Sequence, residues 1–344
     1  MNKILFFLIT KKDRVISCSH LTKTKMENQT QIEHHWIKFV QIYIVARFLY
    51  LFIFSIGIIG NLLSLMIFFR KKLFSSSYSL FLIGYSINSI LNLTVGLFLD
   101  SLKLGFAVNW ESTIGIYCKI VRYLAHVSFH ISSCLLTMMS INRFARVRQA
   151  QLTKNQHRYV FFVRRRTTWI IIVLTIVFCF FINAVVLILF EIENDECYAR
   201  PGVVRFVFDS FFFTFYVVLP TTFMIIINIF TVRAIRSIRS LVQPKISKRE
   251  YQFIVIVMSQ TILNFISILP FSINKFLHYS DVYKNRSDLK KLINSICLLL
   301  ASMNPGLSFF LYTLITPTFR KEFFCIIDEF ICQKANILMN TKVK

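Results

Sequence analysis

Lys119, Arg122, His126 and His130 follow one another at steps of three, four and four residues in a stretch that is otherwise apolar. On an α-helix those steps place all four on one face. Charged side chains inside an apolar helix usually face other protein and mark a binding site. Arg122 and His126, with His130 a turn deeper, are therefore candidate contacts for an acidic or carboxylate-bearing molecule. The plainer alternative is that Lys119 and Arg122 snorkel to the surface while the two His pack. Other reactive groupings are missing. The eight Cys include no C-x-x-C and no Cys/His pair at zinc-finger spacing, and the chain has no H-E-x-x-H and no paired intramembrane Asp. Neither a metal centre, a cofactor nor an enzyme is expected.

The elements that must position these residues are long apolar helices. Of 344 residues, 56% are hydrophobic and only 16% are charged, against roughly a quarter charged in an ordinary soluble domain. The charges cluster and leave seven apolar stretches, about 48–69, 78–99, 116–140, 167–190, 206–230, 251–273 and 292–315. Each is long enough to cross about 30 Å of hydrocarbon at 1.5 Å per residue. In lipid every backbone group must be paired within its segment, so each stretch is expected to be a helix. The fold class is an all-α membrane protein, one compact seven-helix bundle with short loops.

The net charge of +24 first raises the question of nucleic acid. The basic residues instead sit in short loops between apolar stretches, so no nucleic-acid partner is expected. Sixteen Lys and Arg lie in the loops after stretches one, three and five, and eight in those after two, four and six. Basic loops stay on the cytoplasmic side, which places the N-terminus outside and the plasma membrane as the expected location. Two glycosylation sequons, at Asn28 and Asn285, fall on the outer side; a third match, at Asn92, lies inside the second stretch, where no glycan can attach. The apolar run Ile4–Ile9 between Lys3 and Lys11 is short and has no evident cleavage site, so it is taken as a tail extension.

Landmarks at linked spacings add to this. Gly60-Asn61 lies in the first stretch. Cys118 opens the third, and Arg143, in Asn142-Arg143-Phe144, closes it 25 residues later. Trp169 follows another 26 residues on. Pro220 sits in the fifth stretch, Pro270 in the sixth and Asn304-Pro305 in the seventh. In their joint order and spacing the chain resembles the rhodopsin-like (class A) G-protein-coupled receptors over about residues 44–332.

The resemblance implies a receptor that binds an extracellular ligand and activates a heterotrimeric G protein. It implies a disulfide between Cys118 and Cys197, and structural roles for Asn61, Asn88, Trp169 and Pro220. It implies a latch between Arg143 and an acid at the inner end of the sixth helix; Glu250, 20 residues before Pro270, fits. Pro270 is the expected pivot for outward swing of that helix. Four positions depart from the family. Asn88 replaces an Asp, which puts the usual sodium site in doubt, and Ile268 replaces a Trp. Asn228 stands for a Tyr. In the seventh helix Ser308 follows Asn304-Pro305 where a Tyr is expected, while Tyr312 lies seven residues before Phe319, as the family's Tyr does before its eighth-helix Phe. Asn142 replaces the acid that usually precedes the Arg.

The ligand is expected to be a peptide, because the outer loops mix both charge signs; a small chemosensory ligand, acidic or not, is the alternative. Ala125 stands where amine receptors carry an Asp, and the seventh stretch has no Lys for retinal. Thr316-Pro317 is a good helix start, and the apolar face of Phe319, Phe323, Ile327 and Phe330 predicts a short amphipathic eighth helix on the membrane. Cys325 and Cys332, seven residues apart, are candidate lipidation sites. The expected organisation is an outer tail over 1–43, a membrane domain over 44–315, and the surface helix and inner tail over 316–344. The competing class is a transporter or channel; a transporter is expected to show internal repeats, and none is seen.

Overall fold

A computed structural model of the chain describes residues 44–74, 76–151, 160–193, 196–200, 202–239, 248–277 and 287–342. The sequons at Asn28 and Asn285 lie outside them, as do the side chains of Glu250 and Cys332.

Seven helices among the described residues are long and apolar enough to cross a membrane: α1 (Val45–Phe68), α2 (Ser77–Gly105), α3 (Gly115–Gln151), α4 (Arg165–Leu189), α5 (Val203–Ser237), α6 (Lys248–Leu277) and α7 (Ser287–Ile315). The chain is a multi-pass membrane protein. Each helix contains the apolar stretch that predicts it, except that the first and fourth stretches each run one residue too far. The third and fifth stretches end well before their helices do. Arg143 does not close α3, which continues to Gln151, because a helix does not stop where its hydropathy falls. An eighth helix, α8 (Pro317–Lys342), follows α7 after one residue; with 26 residues it is longer than expected.

The sequence gives no strand beforehand, yet Phe190–Glu193 (β1) and Glu196–Ala199 (β2) pair antiparallel, with Ile192 opposite Cys197 and Phe190 opposite Ala199. Phe190, Cys197 and Ala199 are buried while Glu191 stays at the surface, the period-two alternation of a half-buried strand.

Two apolar clusters fill the bundle. One, in the half that holds the hairpin, joins Tyr50, Leu97, Phe129, Phe212, Tyr216 and Phe271. The other, toward Arg143, joins Leu80, Leu135, Met139, Val257, Tyr312 and Phe319. Helices α1 and α7 approach closely. A Cβ on Gly57 would lie 3.0 Å from the Gly306 Cα, and one on Gly306 would lie 2.9 Å from Ile53 Cγ2. Glycine at both positions permits that approach, and there Asn61 donates to the Pro305 carbonyl at 2.9 Å.

Candidate functional site

At one end of the bundle Cys118 and Cys197 form a disulfide with Cα atoms 5.7 Å apart. It ties β2 to the first turn of α3. Val186, Phe190 and Phe208 pack around it, so the hairpin is held over the bundle mouth by both a covalent bond and an apolar contact.

One turn further along α3, Arg122 turns inward. Its guanidinium lies 2.5 Å from a Glu111 carboxylate oxygen and 3.4 Å from Asp100, and Lys103 reaches the same Glu111 oxygen at 3.3 Å. Burial alone would raise the Glu111 pKa, but the nearby Arg122 and Lys103 outweigh it and hold the carboxyl below its usual range. Arg122 is thus matched by carboxylates of its own chain, which the residue spacing did not disclose. On the other side of the mouth Tyr198 donates its hydroxyl to Asp209 at 2.6 Å, and Arg205 lies 3.9 Å from that carboxylate. Burial, and then the Asp209 charge, push the Tyr198 phenol well above its usual range.

Between these groups lies a cavity of about 550 Å³. Arg122 and His126 line it; His130 does not. The His126 ring meets Phe190, Phe208 and Phe212 edge-on, with centroids 5.2–5.6 Å away. His130 stacks on Tyr216 at 4.4 Å and pairs with the Asn183 amide at 3.1 Å. The predicted stripe therefore divides, with its outer part on the cavity and His130 packed between helices. His130, Cys134 and Cys179 bring potential metal-donor atoms within 4.8 Å of one another, with no fourth His, Cys, Asp or Glu in the group among the described residues. Lys275 of α6 and Lys291 of α7 also line the cavity. The Lys275 ammonium sits 4.7 Å from the Tyr198 ring centroid and 5.5 Å from that of Phe271.

At mid-depth a polar network joins three helices. Gln260 of α6 donates to Tyr85 of α2 at 3.1 Å and to Asn304 of α7 at 2.9 Å. Asn304 in turn donates to Asn264 at 2.8 Å. Asn88 does not join this network; it donates to the Ser128 carbonyl and the Ser132 hydroxyl, both at 2.8 Å, and ties α2 to α3. In this place an amide makes polar contacts without adding a charge. Asn61, besides its bond to Pro305, accepts from Ser308 at 3.3 Å. Asn304 is the landmark residue that sequence reasoning found. Gln260 is one it missed, although an amide between the apolar run 253–258 and Ile262-Leu263 is a visible signal.

At the far end Arg143 is 1% exposed. Its guanidinium lies 3.9 Å above the Tyr78 ring, a cation–π contact of the kind favoured in desolvated sites. Asn142 donates to the Phe162 carbonyl at 2.6 Å and so holds the short helix Val160–Val163 against α3. Tyr312 packs against Phe68 and Phe319, with centroids 5.6 and 5.8 Å away. That contact favours the register in which Tyr312, rather than Ser308, fills the family's tyrosine position. Arg70 at the end of α1 reaches Glu322 at 3.5 Å and also pairs with Glu329, anchoring α8. Cys325 is exposed on that helix. Of the other landmarks, Pro220 is buried, whereas Trp169 is 44% exposed on the bundle surface.

The family model described as 7 transmembrane receptor (rhodopsin family) matches residues 60–312. No curated protein matches the chain.

Proposed function

Because the chain belongs to the rhodopsin family of seven-transmembrane receptors, we propose that it binds an extracellular ligand at the plasma membrane and activates a heterotrimeric G protein. The observation that carries this reading is that one bundle holds a cavity at the disulfide end, the buried Gln260–Asn304 network at mid-depth and the buried Arg143 at the other end. The basic loops put the Arg143 end in the cytoplasm and the disulfide end outside. Asn28 and Asn285 are then glycan acceptors. The helix α8 lies along the inner leaflet, with Cys325 and Cys332 as lipid attachment points.

In the resting receptor Arg143 and Glu250 form a latch between α3 and α6. Pro270 removes one backbone hydrogen bond from α6 and makes it the helix that bends. A ligand favours the open state only to the extent that it binds that state more tightly. Opening exposes Arg143 to a G-protein helix.

Two readings of the ligand stand. A peptide is supported by the mixed charge of the hairpin, where Arg200 and Glu191 pair at the surface at 2.8 Å. A small acidic molecule is favoured by the cavity wall itself, developed below.

The test is G-protein activation in cells expressing the wild type, Arg143→Ala and Glu250→Ala at matched surface levels. The expected result is ligand-free signalling that rises in Glu250→Ala and is absent in Arg143→Ala. Equal signalling from all three variants would overturn the latch. Absence of G-protein activation from Glu250→Ala as well as wild type would count against coupling.

A further inference from the structure

The charges around the cavity do not balance. Three carboxylates, Asp100, Glu111 and Asp209, are met by three cations, Arg122, Lys103 and Arg205, at 2.5–3.9 Å. Lys275 and Lys291 remain. Among the described residues no carboxylate lies within 4 Å of either ammonium, and both line the cavity. Lys275 is half-buried, with the faces of Tyr198 and Phe271 beside it and the Asp209 and Asp100 carboxylates near but beyond 4 Å, while Lys291 is exposed at the rim. A desolvated cation without a counter-charge is costly. A ring face returns only part of that cost.

Below the two lysines the wall turns apolar. Phe129 and Phe271 stack with centroids 5.9 Å apart, and Phe212 and Leu298 complete the floor. Asp100, the one carboxylate residue on the wall among the described residues, already faces Arg122. A cationic ligand would therefore meet two positive charges with no carboxylate in contact with them and no free acid, which is discrimination by repulsion.

We propose that the cavity takes a small organic anion whose carboxylate or phosphate head group is held by Lys275 and Lys291, and whose apolar body lies on Phe129, Phe212 and Phe271. The inference rests on the reading of this cavity as the ligand site, and it shifts the anchoring charge from Arg122 to α6 and α7. A head group held between those two helices draws together the elements that carry Pro270 and Pro305. Each contact is a charge-assisted hydrogen bond, whose loss weakens binding by about tenfold or more.

The test uses the purified full-length receptor and four probes that share one body: 4-phenylbutyrate, 4-phenylbutyl phosphate, and the neutral 4-phenylbutyramide and 4-phenylbutanol. A ligand that binds only the folded state raises the unfolding temperature in proportion to its occupancy. Millimolar anion is expected to raise it, and the neutral partners are not. Lys275→Gln should weaken the apparent anion affinity about tenfold. The double variant with Lys291→Gln should abolish the shift, and Lys119→Gln should keep it. Without any probe Lys275→Gln is expected to be at least as heat-stable as the wild type, because a charge with no carboxylate in contact is gone; this guards against reading misfolding as lost binding. Stabilisation by the carboxylate alone or by the phosphate alone identifies the head group. Equal stabilisation by neutral and charged probes, no stabilisation by any, or an undiminished shift in the double variant would each overturn the proposal. No G protein enters this measurement. Anion binding without signalling would sink the receptor reading alone, and signalling without anion binding would sink this one alone.

Discussion

Ser133 of α3 donates its hydroxyl to the Tyr216 carbonyl of α5 at 3.1 Å. That carbonyl is the one an amide at position 220 would serve in a regular helix, and residue 220 is Pro. The backbone over Phe213–Val218 widens to π-helical turns, with the Leu219 amide bonded back to Thr214. A proline-made gap in one helix is thus closed by a hydroxyl from another, as membrane burial requires.

Ser133→Ala should lower stability by about 0.5–1.5 kcal/mol, the net worth of one hydrogen bond. In a Pro220→Ala background, where the amide is restored, the same change should cost less. The heat stability of the four receptors in this double-mutant cycle measures the coupling. Equal costs in both backgrounds would mean that Ser133 does not compensate Pro220.

The α1–α7 crossing makes a second prediction. A side chain at Gly57 meets Leu93 Cδ1 at 2.5 Å and the Gly306 backbone at 3.0 Å. Leucine can turn away, but the backbone cannot without parting the helices and stretching the bond from Asn61 to Pro305. Gly57→Val should cost about 1–3 kcal/mol by overpacking. Gly115→Val, where a Cβ has open space around it, should cost less. Surface expression and heat stability report both.

Much of this architecture could be read from the chain. Seven apolar runs require seven helices once lipid is the solvent, and Cys118 and Cys197 were paired through their place among the landmarks. What stayed hidden depends on packing between distant segments. Arg122 reads as a free cation because its partners lie apart from it in the chain, Asp100 just past the end of an apolar run and Glu111 in a loop. The hairpin was masked because Phe190 extends the fourth apolar stretch, although Phe190-Glu191-Ile192-Glu193 alternates as a strand does. Lys275 looked like a topological charge, and only the cavity around it gives it a different meaning.

The Arg122 cluster predicts both a mutational and a pH effect. Arg122→Ala strands Asp100 and leaves Glu111 to Lys103 alone, and breaking such a partly buried set typically costs about 3–5 kcal/mol. Adding Asp100→Asn should recover part of that loss, because the stranded charge goes. Glu111 is held below its usual pKa in the folded protein. Its contribution is complete above the unfolded carboxylate value of about 4.3 and fades as pH falls through the lower folded value. Heat stability of the wild type should therefore drop in that acid range, and the drop should be smaller in Glu111→Gln. An equal drop in both proteins would remove Glu111 as its cause.

Gln260 is the residue through which opening of α6 is expected to be felt. Its amide holds Tyr85 of α2 and Asn304 of α7 at once, so outward movement of α6 must break both bonds. Each is buried, and each contributes about 0.5–1.5 kcal/mol to the closed arrangement. Gln260→Leu keeps the volume and removes both bonds, but it leaves the Tyr85 hydroxyl and the Asn304 carbonyl oxygen to find other partners. The closed state loses more than the open one, in which those bonds are already broken. Ligand-free G-protein activation should rise about fivefold to a hundredfold for a shift of 1–3 kcal/mol. Tyr85→Phe removes only one of the two bonds and should produce a smaller rise in the same direction. If Gln260→Leu instead lowers basal signalling at equal surface expression, the network supports the open state, and the closing role belongs to the Arg143 end alone.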